Sequence, residues 1–126
     1  MSARIWLRRA YEPPSRSDGR RVLVDRLWPR GLRRVDARIH DWLPDLAPST
    51  ALRTWFGHDP DRFDEFERRY RLELAAHCED LTRVREWVDQ GRLTLVFAAR
   101  DTKHNNAVVL RRVIEGGNGP GSVRRR

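Results

Sequence analysis

The sequence has little of what cross-links a chain or anchors it in a membrane. It contains one cysteine, Cys78, so no disulfide can form within the chain and a reducing compartment is expected. No apolar run approaches the roughly 20 residues that a membrane helix needs. The first 14 residues carry Arg4, Arg8 and Arg9 instead of the apolar segment of a secretory signal. The sequence therefore predicts a cytoplasmic protein without membrane association.

Common signatures of metal and cofactor sites are also missing. The four histidines, at positions 40, 58, 77 and 104, show no paired metal-ligand spacing, and no glycine-rich phosphate loop is present. Cys78 falls on the apolar stripe of a predicted helix, which favours an inert buried thiol over a nucleophile. We expect neither a metal ion nor a cofactor.

Lysine is nearly absent, with Lys103 as its one occurrence, yet the net charge is +8 and the pI is about 11.2. Such a charge favours anionic metabolites or nucleic acid as partners. The strong preference for arginine is equally typical of coding bias in a GC-rich genome. Net charge alone therefore does not decide between a functional surface and a compositional bias.

Large apolar side chains, in contrast, are frequent. The five tryptophans and four phenylalanines are typical of a folded chain, and 126 residues suit one domain. We expect residues 1–115 to form a single α/β domain. The glycine-rich and then basic segment 116–126 (GGNGPGSVRRR) is expected to be a disordered tail.

Strand and helix patterns alternate along the chain. Strands are predicted at residues 5–11, 21–27 and 93–98, and the last is nearly continuously apolar, as in a parallel sheet buried on both faces. Helices are predicted at residues 36–46, with a break at Pro44, and from Ser49 to Gly57. The pattern from Asp59 to Gly91 predicts one long helix or two in tandem, and a last helix is predicted from Ala107 onward. This order predicts a compact layered α/β domain with a small, mostly parallel sheet flanked by helices.

Two polar clusters follow predicted strands. Residues 25–31 (DRLWPRG) leave the second strand, and residues 100–106 (RDTKHNN) leave the last strand and open a helix. In open α/β sheets, ligands gather beyond the carboxyl ends of the strands. If these two strands are neighbours, the clusters share a crevice floored by Trp28 and backed by a helix N-terminus that favours anions.

This pattern predicts a site for an anionic, phosphate-bearing small molecule, either catalytic or binding only. In a catalytic site, His104 would be the acid or base, and Asp25 would orient an arginine or the histidine. The predicted ligand-binding residues are Arg26, Trp28, Arg30, Arg100, Asn105 and Asn106.

Structural alternatives exist for each cluster. Asp25 and Arg26 could form an ion pair, and Asp101 or Thr102 could cap the final helix. Three polar residues stand directly ahead of the apolar AVVL run, which is more than a helix cap needs. This indicates that the side chain of Asn106 forms a hydrogen bond with another group. His58 beside Asp59 resembles a base with its orienting carboxylate, although a helix start already explains Asp59.

Three segments together resemble the YeaO-like branch of the DUF488 family. They are RVLVDRLWPRG (residues 21–31), DLAPSTALRTWFGHDP (45–60) and TLVFAARDTKHNNAVVL (94–110). The resemblance implies a compact bacterial α/β domain of unassigned function. A longer-chain branch of that family carries cysteines in the region equivalent to residues 98–106. This chain has none there, so the resemblance implies no thiol chemistry.

Two other function classes compete with the small-ligand site. The basic surface and the arginine tail would suit nucleic acid, with binding that falls steeply as salt rises. Trp42 and Trp55 would suit a homodimer interface. Clustered polar residues at strand ends are a sharper signal than net charge, so the small-ligand site ranks first.

Overall fold

Four short strands that all run parallel form the centre of the protein. The computed structural model describes residues 4–116. The strands are β1 (Ile5–Arg9), β2 (Arg20–Leu23), β3 (Asp41–Trp42) and β4 (Leu93–Phe97), in the order β1-β4-β2-β3. Every residue of β4 is buried, as its apolar sequence predicts for a central strand. The layered α/β prediction is confirmed.

Helices fill the connections between the strands. They are α1 (Arg34–Ala37), α2 (Thr50–Phe56), α3 (Phe63–Leu74), α4 (Cys78–Gln90) and α5 (Asn106–Glu115). Short 3-10 turns lie at Arg16–Asp18, Pro44–Leu46 and Pro60–Arg62. Ser49 caps α2 by accepting the N–H of Leu52, and Gly57 ends that helix in the left-handed region, both as the sequence predicts.

The two faces of the sheet are covered differently. Side chains such as Val22, Leu95 and Phe97 point into the main core, which α2, α3, α4 and α5 complete. Leu23 and Val96 point the other way and pack with Ala10 into a small second core. That core is closed by four half-buried side chains rather than by a long helix: Trp28, Leu32, Ile39 and Trp42. The segment between β2 and β3 thus covers one face and also borders the carboxyl edge.

The predicted helix over residues 36–46 is wrong. Helix α1 ends after one turn, where Arg38 adopts a left-handed conformation with φ of 52°. The following residues pair with β2 as strand β3. Ile39 and Trp42 both reach the second core, so their spacing reflects burial on one side and not a helical period.

The long amphipathic pattern after Asp59 corresponds to two helices, α3 and α4, joined at residues 75–77. Cys78 is exposed, which contradicts the prediction of a buried core thiol. Its Sγ lies 3.3 Å from the carbonyl oxygen of Ala75. The chain turns between the helices, so the apolar stripe is not continuous and Cys78 is displaced from the core.

Two further expectations concern membranes and the basic tail. Across residues 4–116, each helix is too short or too polar to cross a bilayer. Gly116 follows α5 in a turn, and the rest of the predicted tail lies outside the described residues.

A buried ion cluster stands next to the amino end of β2. Asp18 is fully buried, and its carboxylate accepts hydrogen bonds from Arg8 Nε at 2.9 Å, Arg21 Nη1 at 2.7 Å and the Ser15 N–H at 3.0 Å. Its carbonyl oxygen accepts the hydroxyl of Thr94 in β4 at 2.7 Å. Burial opposes ionisation of Asp18, but these donors outweigh it and hold the pKa of the carboxyl below its ordinary value. The cluster therefore ties three strands to one loop.

We expect Asp18→Asn to destabilise the protein by about 3–5 kcal/mol at neutral pH, because it leaves the buried guanidinium of Arg21 without a counter-charge. Since the folded pKa of Asp18 is depressed, its contribution is present above the unfolded pKa of about 3.9 and is lost as pH falls through the folded pKa. Urea unfolding at several pH values measures both effects.

The matched control is Asp36→Asn, which breaks an exposed ion pair with Arg33 and should cost less than about 1 kcal/mol. Equal costs for the two variants would show that the Asp18 cluster contributes no more than a surface pair.

Candidate functional site

A crevice of about 780 Å³ opens at the carboxyl edge of the sheet. Strands β2 and β4 are hydrogen-bonded neighbours, which is the condition under which the two polar clusters share a space. The crevice is lined by the loop after β2, the loop after β4, the start of α5, and helix α2 with its C-terminal turn. The structure therefore brings both sequence clusters to one place.

Asp25 connects the ends of the two central strands. One carboxylate oxygen accepts the N–H of Ala98 at 2.8 Å, and the other accepts the side-chain amide of Asn106 at 3.3 Å. Burial raises the pKa of the Asp25 carboxyl, although both hydrogen bonds and the nearby charge of Arg53 oppose the rise. Both oxygens are engaged, so Asp25 acts as a clamp between the loops after β2 and β4.

Asn106 makes the hydrogen bonds that its sequence position indicates. Besides Asp25, its amide donates to the carbonyl oxygen of Val24 at 2.9 Å. The cap of α5 is Asn105, which accepts the N–H of Val108 at 3.0 Å and donates to the carbonyl oxygen of Asp101 at 2.8 Å. The prediction that Asp101 or Thr102 caps this helix is therefore wrong, because the preceding loop turns once more before the helix begins.

Asp101 organises that loop. Its carboxylate accepts the N–H groups of Lys103 at 2.9 Å and His104 at 3.0 Å, and it lies 2.9 Å from Nδ1 of His104. These contacts, the Lys103 N–H first, lower the pKa of the Asp101 carboxyl. The His104 ring also packs edge-on against Phe63, with 5.2 Å between the ring centroids.

His104 itself is not among the residues that line the crevice, although Asp101 and Asn105 on either side of it are. The imidazole lies on the same edge of the sheet as Arg26, but it is turned toward Asp101 and Phe63. Its acid–base role stays a prediction.

The three predicted arginines all line the crevice. Arg30 and Arg100 are exposed, while Arg26 is half-buried and donates to the carbonyl oxygens of Pro48 and Ala47, both at 3.4 Å. Within the described residues, Arg26 makes no ion pair with Asp25, so this structural alternative is wrong. Arg26 joins the β2 loop to the segment ahead of α2 through two of its five N–H groups, and within residues 4–116 the other three have no hydrogen-bond partner.

Helix α2 supplies lining residues that the sequence analysis missed. Thr50, Arg53 and Thr54 lie at helical spacing on one face, and His58 follows at the end of the helix. The spacing of the three helix residues indicates a shared polar face. The spacing does not show what that face lies against, because only tertiary packing brings α2 to the strand ends.

The tryptophans are held by intrachain contacts. Trp28 lines the crevice, donates Nε1–H to the carbonyl oxygen of Leu32 at 2.6 Å and meets Trp42 edge-on at 5.7 Å. Trp42 in turn donates to the carbonyl oxygen of Asp25 at 2.7 Å. Trp55 lies beneath the guanidinium of Arg69 at 4.2 Å. Trp42 and Trp55, proposed for a dimer interface, are thus both half-buried in their own chain, and a homodimer stays a prediction.

The histidines have separate surroundings. His40 accepts the backbone N–H of Arg21 at 2.9 Å, His104 contacts Asp101, and His58 is exposed in the crevice wall. Between residues 4 and 116, no three or more histidine, cysteine, aspartate or glutamate side chains come close enough to hold a metal ion.

A parallel sheet with an arginine-lined crevice at its carboxyl edge defines a small α/β protein of the open-sheet class. The chain belongs to the DUF488 family, since residues 4–118 match the model described as the inactive DUF488-N3 subclade. This confirms the resemblance of the three sequence segments.

Two relatives show the extent of the similarity. The chain is 42% identical over 113 residues to Rv3073c of Mycobacterium tuberculosis strain H37Rv, covering 90% of this chain and 95% of that protein. It is 39% identical over 106 residues to YeaO of Escherichia coli strain K12, covering 84% and 92%. Both relatives carry the name "uncharacterized protein". No solved structure matches the chain.

We expect the contribution of Asp25 to the free energy of unfolding to depend on pH with a sign opposite to that of Asp18. Because the folded pKa of Asp25 is raised, its contribution to stability is present below the unfolded pKa of about 3.9 and is lost as pH rises through the folded pKa. Asp25→Asn removes this titration. The unfolding free energy of the wild type, relative to that of the variant, should therefore fall between pH 3 and pH 7.

Denaturant unfolding of both proteins across that range measures the difference, and the exposed Asp45→Asn serves as the control. Parallel pH profiles for wild type and Asp25→Asn would contradict the assignment of a raised pKa to this carboxyl.

Proposed function

We propose that the crevice binds a small phosphate-bearing metabolite and that the protein is a binding protein without catalytic activity. One observation carries the proposal. Four arginines reach the crevice from three separate parts of the chain: Arg26 and Arg30 after β2, Arg53 on α2, and Arg100 after β4. Arginine presents several N–H groups in a planar fork that matches the oxygens of phosphate.

Few acceptors within the crevice compete for these donors. The lining contains two carboxylates, and each already accepts hydrogen bonds from other groups of the protein: Asp25 from Ala98 and Asn106, and Asp101 from Lys103 and His104. The crevice also borders the first residues of α5, a helix end that favours negative charge. A donor-rich lining of this kind suits a ligand rich in acceptor oxygens.

The size and the apolar lining indicate that the ligand has an organic part. A volume of about 780 Å³ falls within the range of roughly 300–1,000 Å³ for small-molecule sites and is far larger than one inorganic anion requires. Leu27, Trp28, Pro29 and Phe56 contribute apolar surface to the same crevice. A nucleotide or a phosphorylated sugar has the required combination of phosphate and carbon skeleton.

The contacts of the two predicted catalytic residues favour binding without chemistry. A general base needs a lone pair within hydrogen-bond reach of the ligand. His104 does not line the crevice, and each carboxylate oxygen of Asp25 already accepts a bond that holds the strand ends together. The description of the matched family as an inactive subclade supports the same conclusion.

A thermal-shift screen tests the proposal. Nucleoside phosphates, sugar phosphates and their unphosphorylated counterparts are compared at one ionic strength. We expect stabilisation by phosphorylated compounds of one class, and we expect Arg30→Ala and Arg100→Ala each to weaken binding by about tenfold or more, because a hydrogen bond to a charged group is lost.

Arg83→Ala is the matched control. It removes the same charge from an exposed position on α4 outside the crevice, so its affinity should match that of the wild type. Equally weak ligand binding in all three variants would show that the affinity depends on net charge and not on the arginines of the crevice. No stabilisation by any phosphorylated compound, together with salt-sensitive binding of duplex DNA, would instead favour the nucleic-acid hypothesis.

A further inference from the structure

Two non-glycine residues of the described chain, Arg38 and His58, have left-handed backbone conformations. Their φ values are 52° and 58°. This conformation places Cβ too close to the following carbonyl oxygen, so most side chains disfavour it and glycine adopts it readily. A residue kept there against that preference indicates a role for its side chain, provided that the backbone alone does not require the residue type.

Arg38 has a structural position that accounts for its conformation. It is the C-cap of α1, and its N–H bonds the carbonyl oxygen of Arg34. For α2 the same task is already performed by Gly57, whose N–H donates to the carbonyl oxygen of Arg53 at 3.0 Å. His58 is therefore a second left-handed residue directly after a completed helix end.

The turn around His58 uses backbone groups. The N–H of Asp59 donates to the carbonyl oxygen of Phe56 at 3.0 Å, and the carboxylate of Asp59 then accepts the N–H of Asp61 at 3.0 Å as the next helical segment begins. Glycine at position 58 would permit the same bonds at a lower conformational cost. The local fold thus does not require an imidazole here.

The imidazole of His58 is exposed in the crevice wall. Its one ring contact in the described part of the chain is with Phe56, at 6.2 Å between centroids, and no group within residues 4–116 forms a hydrogen bond with either ring nitrogen. His40 and His104, in contrast, each have a protein partner. The ring nitrogens of His58 are therefore free to meet a bound molecule.

We propose that His58 is a ligand contact, donating an imidazole N–H to a phosphoryl oxygen of the bound metabolite beside the guanidinium of Arg53. This inference rests on the proposed function and names a residue that determines its specificity. Arg53 and His58 both line the crevice, and they lie at the same end of α2, where the Gly57 N–H bonds the carbonyl oxygen of Arg53. The pair supplies donors from α2, while Arg26, Arg30 and Arg100 supply them from the strand ends.

This contact explains why a less favourable residue occupies the turn. Binding sites retain strained or suboptimal residues whose side chains are needed, and replacing them raises stability at the expense of function. Substitution of His58 should therefore change stability and ligand binding independently. Relief of the backbone strain should preserve or improve stability, and loss of the ring should weaken ligand binding.

The experiment compares His58→Gly and His58→Asn with the wild type by isothermal titration with inorganic pyrophosphate and by urea unfolding. Glycine relieves the strain, and asparagine, which like histidine adopts the left-handed region more often than other residues, has no imidazole. We expect both variants to bind pyrophosphate about tenfold or more weakly, because a hydrogen bond to a charged group is lost. Their unfolding midpoints should equal or exceed that of the wild type.

Arg38→Gly is the control, because it relieves the same strain outside the crevice and should leave the affinity unchanged. Pyrophosphate affinity that is unchanged in both His58 variants would overturn this inference alone and leave the proposed function standing. A lower unfolding midpoint in both variants would overturn it as well, since His58 would then be structural. Failure of the wild type to bind either pyrophosphate or any phosphorylated compound of the thermal-shift screen would overturn the proposed function and this inference together.

Discussion

The pairing of β2 with β4 is the constraint on which the rest of the structure depends. The two strands are far apart in the chain, with Arg20 opposite Leu93, and helices α2, α3 and α4 all lie in the sequence between them. Because the strands are parallel, their carboxyl ends meet at one edge, and the loops that follow must share that edge. The Asp25 carboxylate then joins those loops through Ala98 and Asn106, and all three residues line the crevice.

The parts of this arrangement that local sequence specifies could be predicted. The apolar run of β4, the cap at Ser49 and the stop at Gly57 each depend on near neighbours or on burial alone. The position of Asn106 indicated that its side chain forms hydrogen bonds, but its partners, Val24 and Asp25, are brought to it by tertiary packing. The segment 36–46 could not be predicted, because the apolar spacing of Ile39 and Trp42 fits a helix face as well as a covering loop. The α2 wall of the crevice was missed because only tertiary packing brings it to the strand ends.

Two aspartates show how the protein uses buried charge at opposite ends of β2. Asp18 precedes the strand with two arginines and a backbone N–H around its carboxylate, so its ionised form is favoured and stabilises the fold. Asp25 follows the strand with weaker compensation, so burial disfavours its ionised form. At neutral pH the carboxylate at the edge that carries the crevice therefore contributes less to stability than the carboxylate at the opposite end of the strand.

Arginine serves three purposes in this chain, which is why net charge is a poor guide to its function. Arg21 neutralises a buried carboxylate, and other guanidinium groups cover tryptophan rings, as Arg69 does over Trp55. Arg30 and Arg100 belong to neither class, since they are exposed and face a concave space. A charge of +8 spread over all three classes would favour any polyanion, whereas arginines that converge on a crevice with apolar walls favour a small one. The position of the arginines in the crevice, rather than the net charge of the chain, therefore supports a phosphate-bearing small molecule as the ligand.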